Sequence, residues 1–286
     1  MLSPEGTGVR PVRTIELGSV TVDLMQIGVF RSDAGAIFGP VPRSTWEPMV
    51  RSEIDDESRL LQALNILQIR TPAASLLLET GTAPAGERFE TSELCSVSAR
   101  EAIVASGFDP GRIEYVVPSH LHRDHAGGLT QDDGRAAFPR AAIVAPHAEI
   151  NAVASTSARA RAAYDVPRLT RLFVESPPEV FLDRRQLLPE VELRLLGGHT
   201  LGSQATVIRG RDRTLLFMGD LFMRPWQANP RWVTAYDDEA WISVEAKSSI
   251  FAEAAAQNWL IVLSHELDEP LCRLEADGDR FRLIPE

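Results

Sequence analysis

Half of the six histidines in this chain fall in one short segment, Ser119-His120-Leu121-His122-Arg123-Asp124-His125-Ala126-Gly127-Gly128. It follows directly on an apolar stretch ending at Val117 that reads as a strand. On an extended chain, residues two apart point the same way, so His120 and His122 can offer their imidazoles to one ion. Asp124 and His125 lie where the chain turns into the glycine pair, and can face a second ion a few ångströms away. A paired site of this kind needs about seven protein ligands. The rest must be carried in from far along the sequence, so the fold has to gather several strand ends at one edge. The candidates are His199 in Gly197-Gly198-His199-Thr200, Asp220 after Phe217-Met218-Gly219, and His265 in Leu263-Ser264-His265-Glu266, each at the end of an expected strand. His147 is left over at the start of the helix-like Pro146-His147-Ala148-Glu149-Ile150, where it reads as a helix-terminal residue and not a ligand.

The remainder of the chain alternates strand-like and helix-like patterns, which is how an α/β or α+β sandwich reads. Val20 to Phe30 predicts a strand, and Ala63 to Arg70 with Ala74 to Glu79 a hairpin turned at Thr71-Pro72-Ala73. Gly35 to Arg43 is expected to be a Gly/Pro-rich apolar loop, followed by Trp46. Ser98 with Glu101 makes a capping box for a helix that Gly107 can close, and Asp109-Pro110 prevents its continuation. Strands follow at Ile113 to Val117, Ala141 to Ala145 and Val191 to Leu196. Gln204 to Arg209 and Thr214 to Met218 predict a second hairpin. Asp237 or Asp238 is expected to cap a long helix reaching about Gln257, before a buried strand from Trp259 to Leu263. With no low-complexity linker and no simple repeat, a single domain over residues 1–286 is expected.

Composition narrows the partners and the metal. A formal net charge of -11 argues against a nucleic-acid partner, whose binding needs clustered Lys and Arg. The stretch from Met1 to Leu17 is interrupted by prolines, glycines and charges and offers no signal-peptide core, so a cytoplasmic enzyme is expected. The longest apolar runs, Ser75 to Glu79 and Trp259 to Leu263, fall far short of the roughly 20 residues a membrane span needs. Only Cys95 and Cys272 are present, read as reduced, partly buried thiols, so the ligands are nitrogen and oxygen. Imidazole with carboxylate suits Zn²⁺, Fe²⁺, Mn²⁺ or Co²⁺, and zinc is the expected ion.

The series HxHxDH, GHT, GD and a late histidine after a strand resembles that of the metallo-β-lactamase superfamily, and it spans nearly the whole chain. The resemblance implies a four-layer αββα sandwich with the site at one edge of two sheets. It places His120, His122 and His199 on a first divalent metal ion, Asp124, His125 and His265 on a second, and Asp220 between them. Water held by two such ions loses its proton near neutral pH, so no serine or cysteine nucleophile is needed, and no GxSxG pattern is found. Asp124, a ligand beside that water, is the expected proton carrier to the leaving group.

The Gly35 to Pro42 segment with Trp46, Arg159 to Tyr164, and Trp232 to Asp237 resemble a subgroup containing quorum-quenching N-acyl-homoserine-lactone lactonases and methyl parathion hydrolase-like enzymes. That likeness implies a small-molecule lactone or related carboxylic ester as substrate, contacted by Ile37, Phe38 and Trp46, with Tyr164, Met223 and Tyr236 as further contacts. Phosphotriester, aryl-ester and thioester hydrolysis are alternatives on the same metal site. A mononuclear-iron dioxygenase of this fold is disfavoured, because both Asp124 and His265 are available for a second ion. A homodimer is left open. Three positions depart from the family pattern. Met223 stands where lactonases carry a tyrosine, Ser203 ends a segment usually written GHTPGH, and Glu79-Thr80-Gly81 replaces DTG, lengthening a carboxylate that supports the metal loop.

Overall fold

The strands that the apolar pattern marks out pair into two sheets. The computed structural model describes residues 9–83, 95–155 and 158–286. In the first sheet, β1 (Arg10–Glu16), β2 (Thr21–Asp33), β3 (Arg59–Arg70) and β4 (Ser75–Leu78) run antiparallel. The two-residue β5 (Cys95–Ser96) adds to β2. From β4 the sheet continues in parallel through β6 (Tyr115–Val117), β7 (Ala142–Pro146) and β8 (Glu179–Phe181). The second sheet has the order β15-β14-β13-β12-β11-β10-β9. Its strands are β9 (Arg184–Leu188), β10 (Val191–Leu195), β11 (Gln204–Arg209), β12 (Thr214–Phe217), β13 (Leu260–Val262), β14 (Leu271–Asp277) and β15 (Arg280–Pro285). Here β12 and β13 are the parallel pair.

Between the sheets lies an apolar layer in which Leu24, Leu67, Leu76 and Val144 of the first sheet meet Leu193, Ile208, Phe217 and Val262 of the second. Helices cover the outer faces. α3 (Ala99–Ala105) lies on the first sheet, and its Ser98–Glu101 capping box is formed as expected. α5 (His147–Ala154) and α6 (Val166–Glu175) complete that layer. On the other side α7 (Ala240–Ala256) turns Ser243, Lys247, Ile250, Phe251 and Ala254 inward, a stripe at helical spacing. The result is the four-layer αββα sandwich, with helices outside two stacked sheets.

Three expectations need correction. The segment after β2 is not a loop: Ala34–Phe38 forms a short helix, α1, because the Asp33 carboxylate accepts from the Ala36 N–H and Gly39, at φ 52°, ends the turn. A second helix, α2 (Arg43–Val50), carries Trp46. At α7 the cap is Glu239, without a side-chain bond, since the Asp237 carboxylate is taken by His199 and Thr234. The β14–β15 hairpin was not among the expected elements. Cys272 is a buried free thiol, while the Cys95 side chain lies outside the described residues. Among the described residues no helix is long and apolar enough to cross a membrane.

Candidate metal centre

In both sheets the parallel strands end at the same edge, where backbone groups are no longer consumed by pairing and loops can present side chains. From the first sheet, β4 leads to Glu79, β6 to His120, and β7 to Glu149. The second contributes the β10–β11 turn with His199, the segment after β12 with Asp220, and the segment after β13 with His265. His122 stands at the N-cap of the short helix α4 (Arg123–Ala126), with φ -64° and ψ 158°. The chain therefore turns as soon as His122 has passed, and Asp124 and His125 fall on the first turn. Gly219, at φ 52°, is needed for the close approach of the Asp220 loop, since a Cβ there would lie 2.1 Å from Ser119 Oγ.

These loops bring the seven residues together as two groups. The ligand atoms of His120, His122 and His199 lie within 4.8 Å of one another, as do those of Asp124, His125, Asp220 and His265. Asp220 faces both: Oδ1 is 3.0 Å from His125 Nε2 and 2.9 Å from His265 Nε2, and Oδ2 is 3.5 Å from His199 Nε2. The exposed His147 stands apart at the start of α5, where its Nδ1 meets Asn151.

The fit to metal is visible in the other ring nitrogens. His125 Nδ1 is 2.7 Å from Glu79 Oε2, His199 Nδ1 is 3.0 Å from Asp237 Oδ1, and His265 Nδ1 is 2.7 Å from the Ala63 carbonyl. A carbonyl oxygen only accepts, so His265 donates from Nδ1, which turns its Nε2 toward Asp220. Ser119 Oγ holds His120 Nδ1 at 3.0 Å. The Nε2 atoms of His120, His122, His125 and His265 are buried and make no hydrogen bond among the described residues. Buried imidazole nitrogens fixed in orientation and turned, with the Asp220 carboxylate, toward one space are the donor set a divalent ion requires.

Electrostatics divides the histidines into two kinds. Burial and the neighbouring imidazoles keep His120 well below its ordinary pKa and bring His122 to about 3, so both are neutral at pH 7. Burial works against the Asp124 carboxylate, but His125 outweighs it and lowers the group to about 2. Burial likewise opposes charge on His125 and His199. Asp220, Asp124 and Glu79 around the first, and Asp237 beside the second, nevertheless raise both.

The two groups open into a cavity of about 670 Å³. Ile37, Met223 and Tyr236 line it. Phe38, Trp46 and Tyr164 do not. Phe38 stacks on Trp46 at 4.9 Å and packs on Trp226 and Trp232, an aromatic layer behind Ile37 and Met223. Tyr164 is buried, edge-on to His122, with its hydroxyl on Glu149.

Residues 64–265 match the metallo-beta-lactamase superfamily, more than half of the chain. The chain belongs to that superfamily. No curated protein matches it. Among solved structures, a probable metal-dependent hydrolase from Staphylococcus aureus is 22% identical, with 95% of this chain and 99% of that one covered and a TM-score of 0.84. AidC, a dizinc quorum-quenching lactonase in complex with a product, is 19% identical, with 96% and 97% covered and a TM-score of 0.81. AbOPH, a hydrolase in the beta lactamase superfamily, is 18% identical, with 98% of each chain covered and a TM-score of 0.82.

In this superfamily member the departures from pattern are absorbed locally. Glu79 adopts φ 64°, a left-handed conformation uncommon outside glycine, and its longer carboxylate spans the Ser119 N–H at 2.7 Å and His125. Ser203 Oγ accepts from the Thr200 N–H at 2.9 Å, which closes the turn behind His199. The sequence reading missed Glu149. Its buried carboxylate accepts from the Leu121 and Gly202 N–H groups and the Thr200 and Tyr164 hydroxyls, tying both histidine loops to α5. Its place just after a strand was the available signal.

Proposed function

We propose that this metal-dependent hydrolase, working as one domain over residues 1–286, uses two divalent ions, zinc foremost, to open a lactone or related carboxylic ester. His120, His122 and His199 would hold one ion and Asp124, His125 and His265 the other. The observation that carries this reading is Asp220, whose two carboxylate oxygens face the two histidine groups separately. Fe²⁺, Mn²⁺ and Co²⁺ suit the same donors. When bound, two such ions supply a water acidic enough to attack at neutral pH and polarise the carbonyl oxygen.

The chain's own groups do the rest. Asp124 lines the cavity with its side chain 17% exposed, positioned to take a proton and deliver it to the leaving oxygen. Phe30, Ile37, Met223, Ala162 and Ala163 give the cavity apolar walls that seat an acyl chain and exclude water. Support for N-acyl-homoserine lactones as substrates comes from the similar fold of AidC, whose structure holds N-hexanoyl-homoserine. Met223, in place of a phenol, favours a second reading in which esters or phosphotriesters with good leaving groups are the substrates.

Metal analysis of the purified protein, followed by a panel of lactone, thioester, aryl ester and phosphotriester, tests both. Two ions per chain and turnover led by the lactone are expected. Full activity with one ion would sink the two-ion mechanism, and turnover led by the phosphotriester would transfer the function to the second reading.

A further inference from the structure

Glu149 is a carboxylate in a place that disfavours one. It is 0% exposed, and the four groups it accepts from are all neutral. Taking a charge out of water destabilises a fold unless donors surround it, and the first turn of α5 offsets a part of that cost. The donors are arranged in a pattern. Oε1 accepts from the Leu121 N–H at 2.7 Å and the Tyr164 hydroxyl at 3.2 Å. Oε2 accepts from the Thr200 hydroxyl at 2.6 Å and the Gly202 N–H at 3.1 Å. Each oxygen thus takes one backbone N–H, which cannot reverse its direction, and one hydroxyl, which can.

These partners lead to the three histidines of one group. Leu121 lies between His120 and His122, and Thr200 follows His199. Gly202 lets the His199 turn close on α5, since a Cβ there would lie 2.3 Å from the Glu149 Cβ. Two of the three rings have a polar group behind them, Ser119 Oγ for His120 and the Asp237 carboxylate for His199. His122 has none among the described residues: Nδ1 lies 3.2 Å from His199 Nε2, inside the group, and Nε2 is buried without a hydrogen bond. What holds its ring is the neighbouring Leu121 peptide and Tyr164, edge-on at 4.8 Å, and Glu149 binds both. The other group is supported elsewhere, His125 by Glu79 and His265 by the Ala63 carbonyl.

We infer that Glu149 is the positioning residue of the first metal group: one carboxylate sets the geometry of His120, His122 and His199 and leaves that of Asp124, His125 and His265 untouched. The inference rests on the two-ion reading proposed above.

Competition between the Zn²⁺-loaded protein and a chelator, in variants that keep one group at a time, is the test. In a His265→Ala background the ion that remains belongs to the first group. There Glu149→Gln should weaken Zn²⁺ binding by about 10–100-fold, because the new amide sets an N–H against the N–H of either Leu121 or Gly202. In a His199→Ala background the ion belongs to the second group, and the same substitution should leave its affinity within about twofold, as for independent sites. Thr200→Val, which keeps the shape and removes one donor, should show the same selectivity and serves if Glu149→Gln fails to fold. Equal weakening in both backgrounds would show a general loss of structure and overturn the inference, as would no weakening in either. A wild type that holds a single Zn²⁺ would overturn the two-ion reading itself, and the selectivity with it.

Discussion

Asp237 shows how a residue that faces no ion can govern one. Its carboxylate sits 3.0 Å from His199 Nδ1 and is itself held by the Thr234 hydroxyl at 2.6 Å, which fixes the ring so that Nε2 faces the site. Partners of this kind typically account for about 10–100-fold in metal affinity. Asp237→Ala should weaken metal binding by about that factor in competition with a chelator, while the exposed His147→Ala leaves it unchanged; equal affinities in the two variants would mean that Asp237 does not orient His199. The seven grouped residues were legible in the sequence because four of them sit in one local spacing and the others end strands. Their supports were not. The Ala63 carbonyl reaches His265 across 202 residues and Glu149 reaches Leu121 across 28, and a contact made between loops leaves no periodic mark on either segment. Asp237 itself was visible only as a cap for the following helix, a role that short polar side chains fill so often that it hid the other.

Among the elements, those with strong local signals were legible, such as the Ser98–Glu101 capping box and the β11–β12 hairpin, whereas α1 was not. Gly35 and Gly39 read as loop formers, yet the bond from the Ala36 N–H to Asp33 suffices to start a single turn. The long helix α7 was expected from its pattern, but not that its inward stripe would contain a lysine. Lys247 is buried, and Nζ donates to the Trp232 carbonyl at 2.7 Å. Burial lowers its pKa to about 7, with Asp237 opposing the shift. The unfolded chain keeps this amine protonated up to about pH 10. Between about pH 7 and 10 the unfolded state therefore binds more protons, so this residue's contribution to stability rises with pH across that window and is least favourable below it. Lys247→Met should accordingly gain thermal stability relative to wild type most at pH 6, with the difference in Tm shrinking by several degrees towards pH 9. Unfolding curves at both values decide the matter, and a difference that stays constant with pH would show that the buried amine does not titrate there.

At the scale of the whole molecule, the requirement that ligands distant in sequence converge was itself the strongest indicator of architecture, because few arrangements bring seven such positions to one edge. The same convergence makes metal a link between the layers. His120, His122, Asp124 and His125 come from the first sheet, and His199, Asp220 and His265 from the second, while the interior contact between the sheets is apolar. An ion that binds the folded chain and not the unfolded one stabilises by RT ln(1 + [L]/Kd), about 2.7 kcal/mol at one hundred times Kd. For a chain of this size each kcal/mol moves Tm by about 2–4 °C, so a chelator should lower Tm by several degrees, and added Zn²⁺ should restore it in proportion to the logarithm of free metal. The variants then separate the two ions. Asp220→Ala removes the carboxylate that faces both groups and should abolish most of the metal-dependent rise. His265→Ala leaves His120, His122 and His199 intact and should keep part of it. Identical responses in the two variants would place Asp220 on one ion alone, and a wild-type Tm indifferent to complete metal removal would mean that the sheets are held by their apolar interior without help from the site.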